Sequence, residues 1–159
     1  MLKPASIYKE QLLAKFSQYL YTDDYFWYAG YGVCNELPKI ELADEHYQYV
    51  ILDGDEVAGY FAYRIQSSVD TVCNFGLFSF DRGNPIIGID IFKKLEELVK
   101  EHHRVEWRMI GGNPIKRSYD RFCQKHGGNC VVLHSVTKDI HGEWHDEYVY
   151  EIVREDGMK

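Results

Sequence analysis

Much of what would give a quick functional reading is scarce in this sequence. Its four cysteines, Cys34, Cys73, Cys123 and Cys130, include no C-x-x-C pair, so they spell neither a redox motif nor a zinc knuckle. They are expected as reduced thiols, packed as small hydrophobes. The seven histidines are scattered. His141 and His145 stand four apart, but Gly142 between them belongs to a turn rather than a helix face, so no metal site is expected. No apolar run reaches the ~20 residues of a membrane span. The opening MLKPASIYKEQLL has no apolar core of the signal-peptide kind. A cytoplasmic protein with no membrane partner is the expectation. Lys and Arg number 18 against 25 Asp and Glu, for a formal charge of −7. With no basic stripe, a nucleic-acid partner is disfavoured. Neither G-x-G-x-x-G nor G-x-x-x-x-G-K-[ST] occurs, which removes the sequence support for a Rossmann or P-loop site.

What remains is a globular composition, 45% apolar and 27% charged, without low-complexity segments. The length suits a single domain, residues 1–159, with a sizeable core. The most informative stretch runs from Ser68 to His102. Val69 to Phe80 is rich in β-branched and aromatic residues and reads as a strand. Asp81 to Gly88 reads as a loop, and Ile87, Ile91, Leu95 and Leu98 then give a helix its buried stripe. A glycine-containing loop feeding a helix start offers outward N–H groups and a favourable dipole to an anion. Arg104 to Ile110 follows as a strand, Gly111 to Pro114 as a turn, and Ile115 to His126 as a helix closed by Gly127-Gly128. Strands from Cys130 to Thr137 and Glu147 to Val153 flank a turn at His141-Gly142.

The order β-α-β-α-β-β, with Asn113 opening the second helix and Tyr119 inside it, resembles the GNAT family of N-acetyltransferases from about Tyr47 to Val153. Gly142-x-x-x-Asp146-x-x-x-Tyr150 is similar to the last hairpin of GNATs that acetylate protein N-termini or small amines. The resemblance implies two parallel strands that splay apart and take the pantetheine of acetyl-CoA between them. The cofactor arm would then pair with Leu77, Phe78, Ser79 and Phe80. The pyrophosphate would lie over Arg82, Gly83, Asn84, Ile86, Ile87 and Gly88, with Asn113 bonding the arm. The family pattern Gln/Arg-x-x-Gly-x-Gly/Ala is not met in either register: counting from Gly88 puts Gly83 and Ile86 at its first two fixed places, and counting from Arg82 puts Pro85 and Ile87 at its last two. Backbone N–H groups hold phosphates in such loops, although Pro85 has none. The family's acid, a Tyr, usually lies seven residues after the Asn, which here is Asp120. Tyr119, one step short, is the candidate acid for the leaving thiolate.

The N-terminal third reads less clearly. Ser6 is placed as the cap of a helix carrying Ile7, Leu12, Leu13, Phe16 and Leu20. Tyr19 to Gly32 holds seven aromatics in fourteen residues. Two readings stand: one wall of an acceptor pocket, with Asp23, Asp24, Tyr25 and Trp27 meeting an amine, or a helix packing its aromatics inward with Asp23 as cap. Asn35 to Asp44 is a polar connection. His46 to Leu52 and Val57 to Ile65 form a hairpin across Asp53-Gly54. The whole is an α/β fold with a mixed central sheet and helices on both faces. Strands joined through helices should run parallel to their neighbours, and a β-bulge is expected near Asn74 to Gly76, where the apolar alternation changes phase.

The chemistry the resemblance implies is direct transfer of an acetyl group from acetyl-CoA to a primary amine of a small molecule or a peptide. A carboxylate, or a water held by one, can take the proton of the attacking amine; Glu106 is the first candidate, its other reading being a surface carboxylate or a partner for Arg104 or Arg108, and Asp70 is the second. The rival reading is a catalytically silent CoA-binding or protein-interaction module of the same fold. Self-association as a homodimer is left open.

Overall fold

The Asp53-Gly54 turn is a two-stranded hairpin, as its sequence demands: Gly54 has φ +60°, the left-handed conformation that glycine adopts freely. It joins β2 (His46–Asp53) to β3 (Glu56–Gln66). The computed structural model describes residues 1–29 and 35–155. Ahead of the hairpin come β1 (Leu2–Pro4), a 3₁₀ turn (Ala5–Tyr8), α1 (Lys9–Ser17) and α2 (Asp23–Ala29). After it come β4 (Thr71–Ser79), α3 (Pro85–Glu101), β5 (Arg104–Ile110), α4 (Lys116–Lys125), β6 (Asn129–Lys138) and β7 (Trp144–Val153).

The sheet has the order β1-β2-β3-β4-β5-β7-β6. β1 to β4 form an antiparallel meander, and β4 and β5 are parallel. β7 is antiparallel to both β5 and β6. The mixed sheet is as expected, but among the described residues only one neighbouring pair is parallel. β7 takes the place beside β5, and β6 is pushed to the edge.

Alternation along the strands sends side chains into two separate cores. Ile51, Phe61 and Tyr63 meet Ile91, Leu95 and Leu98 of α3 and Phe122 of α4. Val50, Leu52, Tyr60 and Ala62 meet Leu12 and Phe16 of α1 and Tyr25 of α2. Helices therefore cover both faces. The helix at the N-terminus begins later than Ser6, which lies in the 3₁₀ turn, and Ile7 points out, 72% exposed. α2 is capped by Thr22, whose Oγ1 accepts from Tyr25 N at 3.3 Å; Asp23 is its first helical residue rather than its cap. Cys73 and Cys123 are buried, but Cys130 is exposed on β6, and Cys34 lies outside the described residues. Among those residues no helix is long and apolar enough to cross a membrane.

Two details position the site. β3 and β4 lose register between Ala62 and Arg64, opposite Gly76 and Cys73. Asn74 there has φ +51°, a conformation Asn tolerates better than most residues. This is the expected bulge, and it bends β4. β4 and β5 pair only through Thr71–Arg104 and Val72–Val105. Beyond the bulge the two parallel strands diverge.

Candidate active site

Divergence leaves the β5-facing edge of β4 without a strand from Cys73 onward, while its other edge stays paired with β3 as far as Ser79. The wedge between them opens into a groove of about 530 Å³. Leu77, Phe78 and Ser79 form one wall of the groove, and Asn113 and Tyr119 stand on the other. Arg82, Gly83, Asn84, Ile87 and Gly88 close its end. Of the residues expected around a cofactor, the structure thus brings all but two together. Phe80 turns away and packs edge-on against Phe16 at 4.9 Å, and Ile86 does not line the groove.

The helix starts earlier than its apolar stripe suggests. Pro85 is the first residue of α3, and Asn84 caps it, its Oδ1 accepting from Ile86 N at 3.0 Å. The loop proper is therefore Phe80 to Asn84. Pro85 offers no donor and Ile86 has given its own to the cap. Arg82 and Gly83 keep N–H groups with no partner among the described residues. Gly83 has φ +87°, and a Cβ built on Gly83 or Gly88 would meet nothing within 4 Å. The end of the groove is open backbone with positive helix-dipole character.

α2 lies over the same end. Arg82 forms an ion pair with Asp24 and lies 5.4 Å from the Trp27 ring. Asp24 and Trp27, expected in an acceptor wall, instead line the groove beside the loop. Asp23 lines no cavity described here; its carboxylate is 3.3 Å from His141. Tyr25 is buried, and its hydroxyl donates to Glu36 O at 2.5 Å. Up to Ala29 the aromatic stretch is both things at once: Tyr25 and Phe26 pack inward, Tyr25 also bordering a second cavity, while Trp27 and Tyr28 face the groove; Gly30 to Gly32 lie outside the described residues.

Tyr119 is 4% exposed, with its ring 5.7 Å from Trp107, 5.9 Å from Tyr150 and 6.2 Å from Phe75. Its hydroxyl reaches the groove and has no partner among the described residues. Burial holds its pKa above the ordinary tyrosine value, so the group stays protonated and keeps a proton to donate. Asp120, one step on, faces away: it accepts from Lys116 Nζ and from Tyr150 Oη, each at 2.7 Å. One residue of helix is about 100° of rotation, and it is Tyr119 that is turned into the groove.

A second cavity, about 710 Å³, opens on the α1/α2 side of the sheet. Tyr28 lines both spaces. Gly76 is what lets it lie there: a Cβ on Gly76 would come within 3.2 Å of the Tyr28 ring. Glu106 lines this second cavity, not the groove, and is bonded by Arg104 Nε at 3.0 Å. Asp70 lies away from both, bonded to His102 Nδ1 at 2.7 Å and to His103 N at 2.8 Å. Tyr60, Gln48, His46 and Arg64 also line the cavity. The sequence reading passed over them, although His46, Gln48 and Arg64 are polar residues in one alternation phase of otherwise buried strands, which is a legible signal. Burial, and then the charge of Arg64, lower the pKa of His46, and its Nδ1 is buried without a partner.

No protein-family profile matches this sequence, and no curated protein matches it either. Solved structures do. One provisionally assigned as a phosphinothricin N-acetyltransferase superposes with a TM-score of 0.69 over 98% of this chain and 99% of that one, at 14% identity. A probable acetyltransferase of the GNAT family from Chromobacterium violaceum gives 0.62 over 91% and 82%, at 16% identity. The chain has the GNAT fold. The Escherichia coli ribosomal-protein-S18-alanine N-acetyltransferase shares it as well, with a TM-score of 0.57 over 74% and 76% and 12% identity. In GNAT-fold terms the wedge between β4 and β5 is the splay, and the groove and the second cavity open on its two sides.

Proposed function

We propose that the protein is an acyl-CoA-dependent N-acetyltransferase acting on a primary amine. One observation carries the reading: a groove and a cavity approach the same diverging strand pair from opposite faces, and Tyr28 borders both. That is the arrangement a transfer between two substrates needs, each entering from its own side.

The groove suits acetyl-CoA. An extended arm with amides pairs with an exposed strand edge, and the freed edge of β4 supplies one. Phosphates pair with free N–H groups at a helix start, and Arg82 and Gly83 present them. Bound there, acetyl-CoA would supply an activated acyl carbon: a C–N bond forms as the C–S bond breaks, the sulfur leaves as a hydrogen-bonded thiolate, and the proton lost by the amine passes to the base. The chain's own residues do the rest. Tyr119 donates a hydrogen bond to the departing sulfur. A backbone N–H on the freed edge of β4 stabilises charge on the carbonyl oxygen. An attacking amine must first be neutral, and Glu106, or a water on it, is the base on the cavity side.

A second reading, CoA binding without turnover, draws on the loop itself: Pro85, the capped Ile86 and the pairing of Arg82 with Asp24 leave few free donors for phosphate. Thermal shift with CoA tests the common part. A ligand at a hundred times its dissociation constant stabilises by about 2.7 kcal/mol, or roughly 5–10 °C for a domain of this size. No shift at millimolar CoA overturns both readings, and a shift without thiol release on an amine panel leaves the silent module.

A further inference from the structure

We infer that the acceptor is a zwitterion, a primary amine that also carries an anionic group, held across the β4 bulge between Glu106 and Arg64. The inference rests on the second cavity being the acceptor side.

The register puts these two residues in one row. Arg64 stands opposite Cys73 on β4. Cys73 follows Val72, which is level with Val105, so Glu106 stands on its other side. Strands lie about 4.8 Å apart, which separates the two backbones by roughly 10 Å, with the wedge between them. Both side chains line the cavity.

Their charges are left over from the protein's own pairing. Arg104 is shared by Glu106 at 3.0 Å and Glu151 at 2.6 Å. Two carboxylates and one guanidinium leave that wall with one negative charge. Arg108 is matched by Glu147 at 3.4 Å. Arg64 has no carboxylate partner among the described residues, and it is close enough to act on His46. The opposite wall therefore keeps one positive charge. The rim adds Glu36, Lys39 and Glu41, exposed to solvent as Arg64 itself is, so all four charges are screened there and act only at contact range. A plain monoamine would satisfy the Glu106 wall and leave Arg64 idle. A polyamine would be repelled by it. An amine with a carboxylate or phosphonate meets both walls, its ammonium beside the candidate base and its anion on the guanidinium.

The test uses the whole chain and acetyl-CoA, following thiol release. Three acceptor series are compared: L-amino acids, their α-carboxamides, and aminoalkylphosphonates. The anionic series should exceed the carboxamides at least tenfold in kcat/KM, and the better of the two names the anion. Arg64→Gln should raise KM for the anionic acceptors tenfold or more, move that of the carboxamides less than twofold, and leave the melting temperature in place. Arg64→Lys should recover most of the loss. Carboxamides that match the anionic acceptors, or a Gln variant that moves both KM values together, would overturn the proposal. Should CoA bind while no amine of any series releases thiol, it is the transferase reading that fails. Calorimetry of the same series on the CoA-loaded protein then decides: selective, Arg64-dependent binding of the anionic series supports the zwitterion site, and its absence sinks it.

Discussion

Replacing Tyr119 by Phe removes a single oxygen from the floor of the groove and nothing else. The ring is held by Trp107, Tyr150 and Phe75 at centroid distances of 5.7, 5.9 and 6.2 Å, and Phe keeps every one of these contacts. The hydroxyl has no partner in the described protein, so no hydrogen bond of the usual net worth, about 1 kcal/mol, is lost from the folded state. Stability should change by no more than about 0.5 kcal/mol, a shift of roughly 2 °C or less for a domain of this length. Tyr119→Ala would be a poor test, since the cavity alone costs about 3–5 kcal/mol. The catalytic effect can be bounded too. Burial holds this phenol above its ordinary value, whereas a thiol ionises near 8.5. Full proton transfer to the sulfur would run uphill, so the group acts chiefly as a hydrogen-bond donor to developing charge. Such a bond is worth about 1.5–3 kcal/mol, and its loss slows turnover by roughly 10- to 150-fold. Thiol release at saturating acetyl-CoA and amine, alongside a melting curve, reads both quantities. Wild-type turnover would refute the role of Tyr119. A fall in melting temperature well beyond 2 °C would refute the claim that its hydroxyl is free.

The parts of the fold that were legible are those fixed by local rules. α3 shows its stripe of Ile87, Ile91, Leu95 and Leu98, all buried. The β2–β3 hairpin follows from Asp53-Gly54, and the bulge from a change of phase at Asn74. The strand order at the far edge was not legible, and composition points the wrong way. β6 has the longer aliphatic run, Val131, Val132 and Leu133, yet it lies at the edge with those side chains 54%, 37% and 39% exposed. A hairpin can put either strand next to β5, and only packing chooses. The same limit applies to the site. The groove wall of Leu77 to Ser79, its loop and Asn113 could be placed by order along the chain. The clamp of Arg82 between Asp24 and Trp27 could not, because it joins residues 58 apart in sequence. Asp23 and Asp24 look equivalent as neighbours, but adjacent helical positions point about 100° apart. One therefore meets Arg82 and the other His141.

Two further perturbations probe the frame that holds the splay. At Gly128 a Cβ would lie 2.4 Å from Glu151 O, 2.7 Å from Cys123 Sγ and 2.8 Å from Ile152 Cγ1; a backbone oxygen cannot swing aside, so Gly128→Ala should cost about 1–3 kcal/mol, and an unchanged melting curve would show that α4 and β7 are not packed this closely. The last concerns acid. Asp139 is buried at the β6–β7 turn, and its pKa is held down to about 2, first by the hydrogen bond from His145 Nε2 at 2.8 Å and then by the N–H groups of Glu143 and His141. An unfolded aspartate titrates near 3.9. Because the folded value is the lower one, the ionised carboxylate favours the folded state at any pH above about 4, and that contribution is withdrawn as pH falls from about 4 toward 2. Asp139→Asn removes the titration but also the charge, so it should melt lower than the wild type at pH 7 while the gap between them narrows steadily below pH 4. His145 also contacts Gly111 O at 3.1 Å, next to the turn that delivers Asn113 to the groove. Amide exchange at residues 111–113 should therefore quicken in the Asn variant at neutral pH. A gap independent of pH, or unchanged exchange at that turn, would mean that the Asp139–His145 pair does not brace the groove wall.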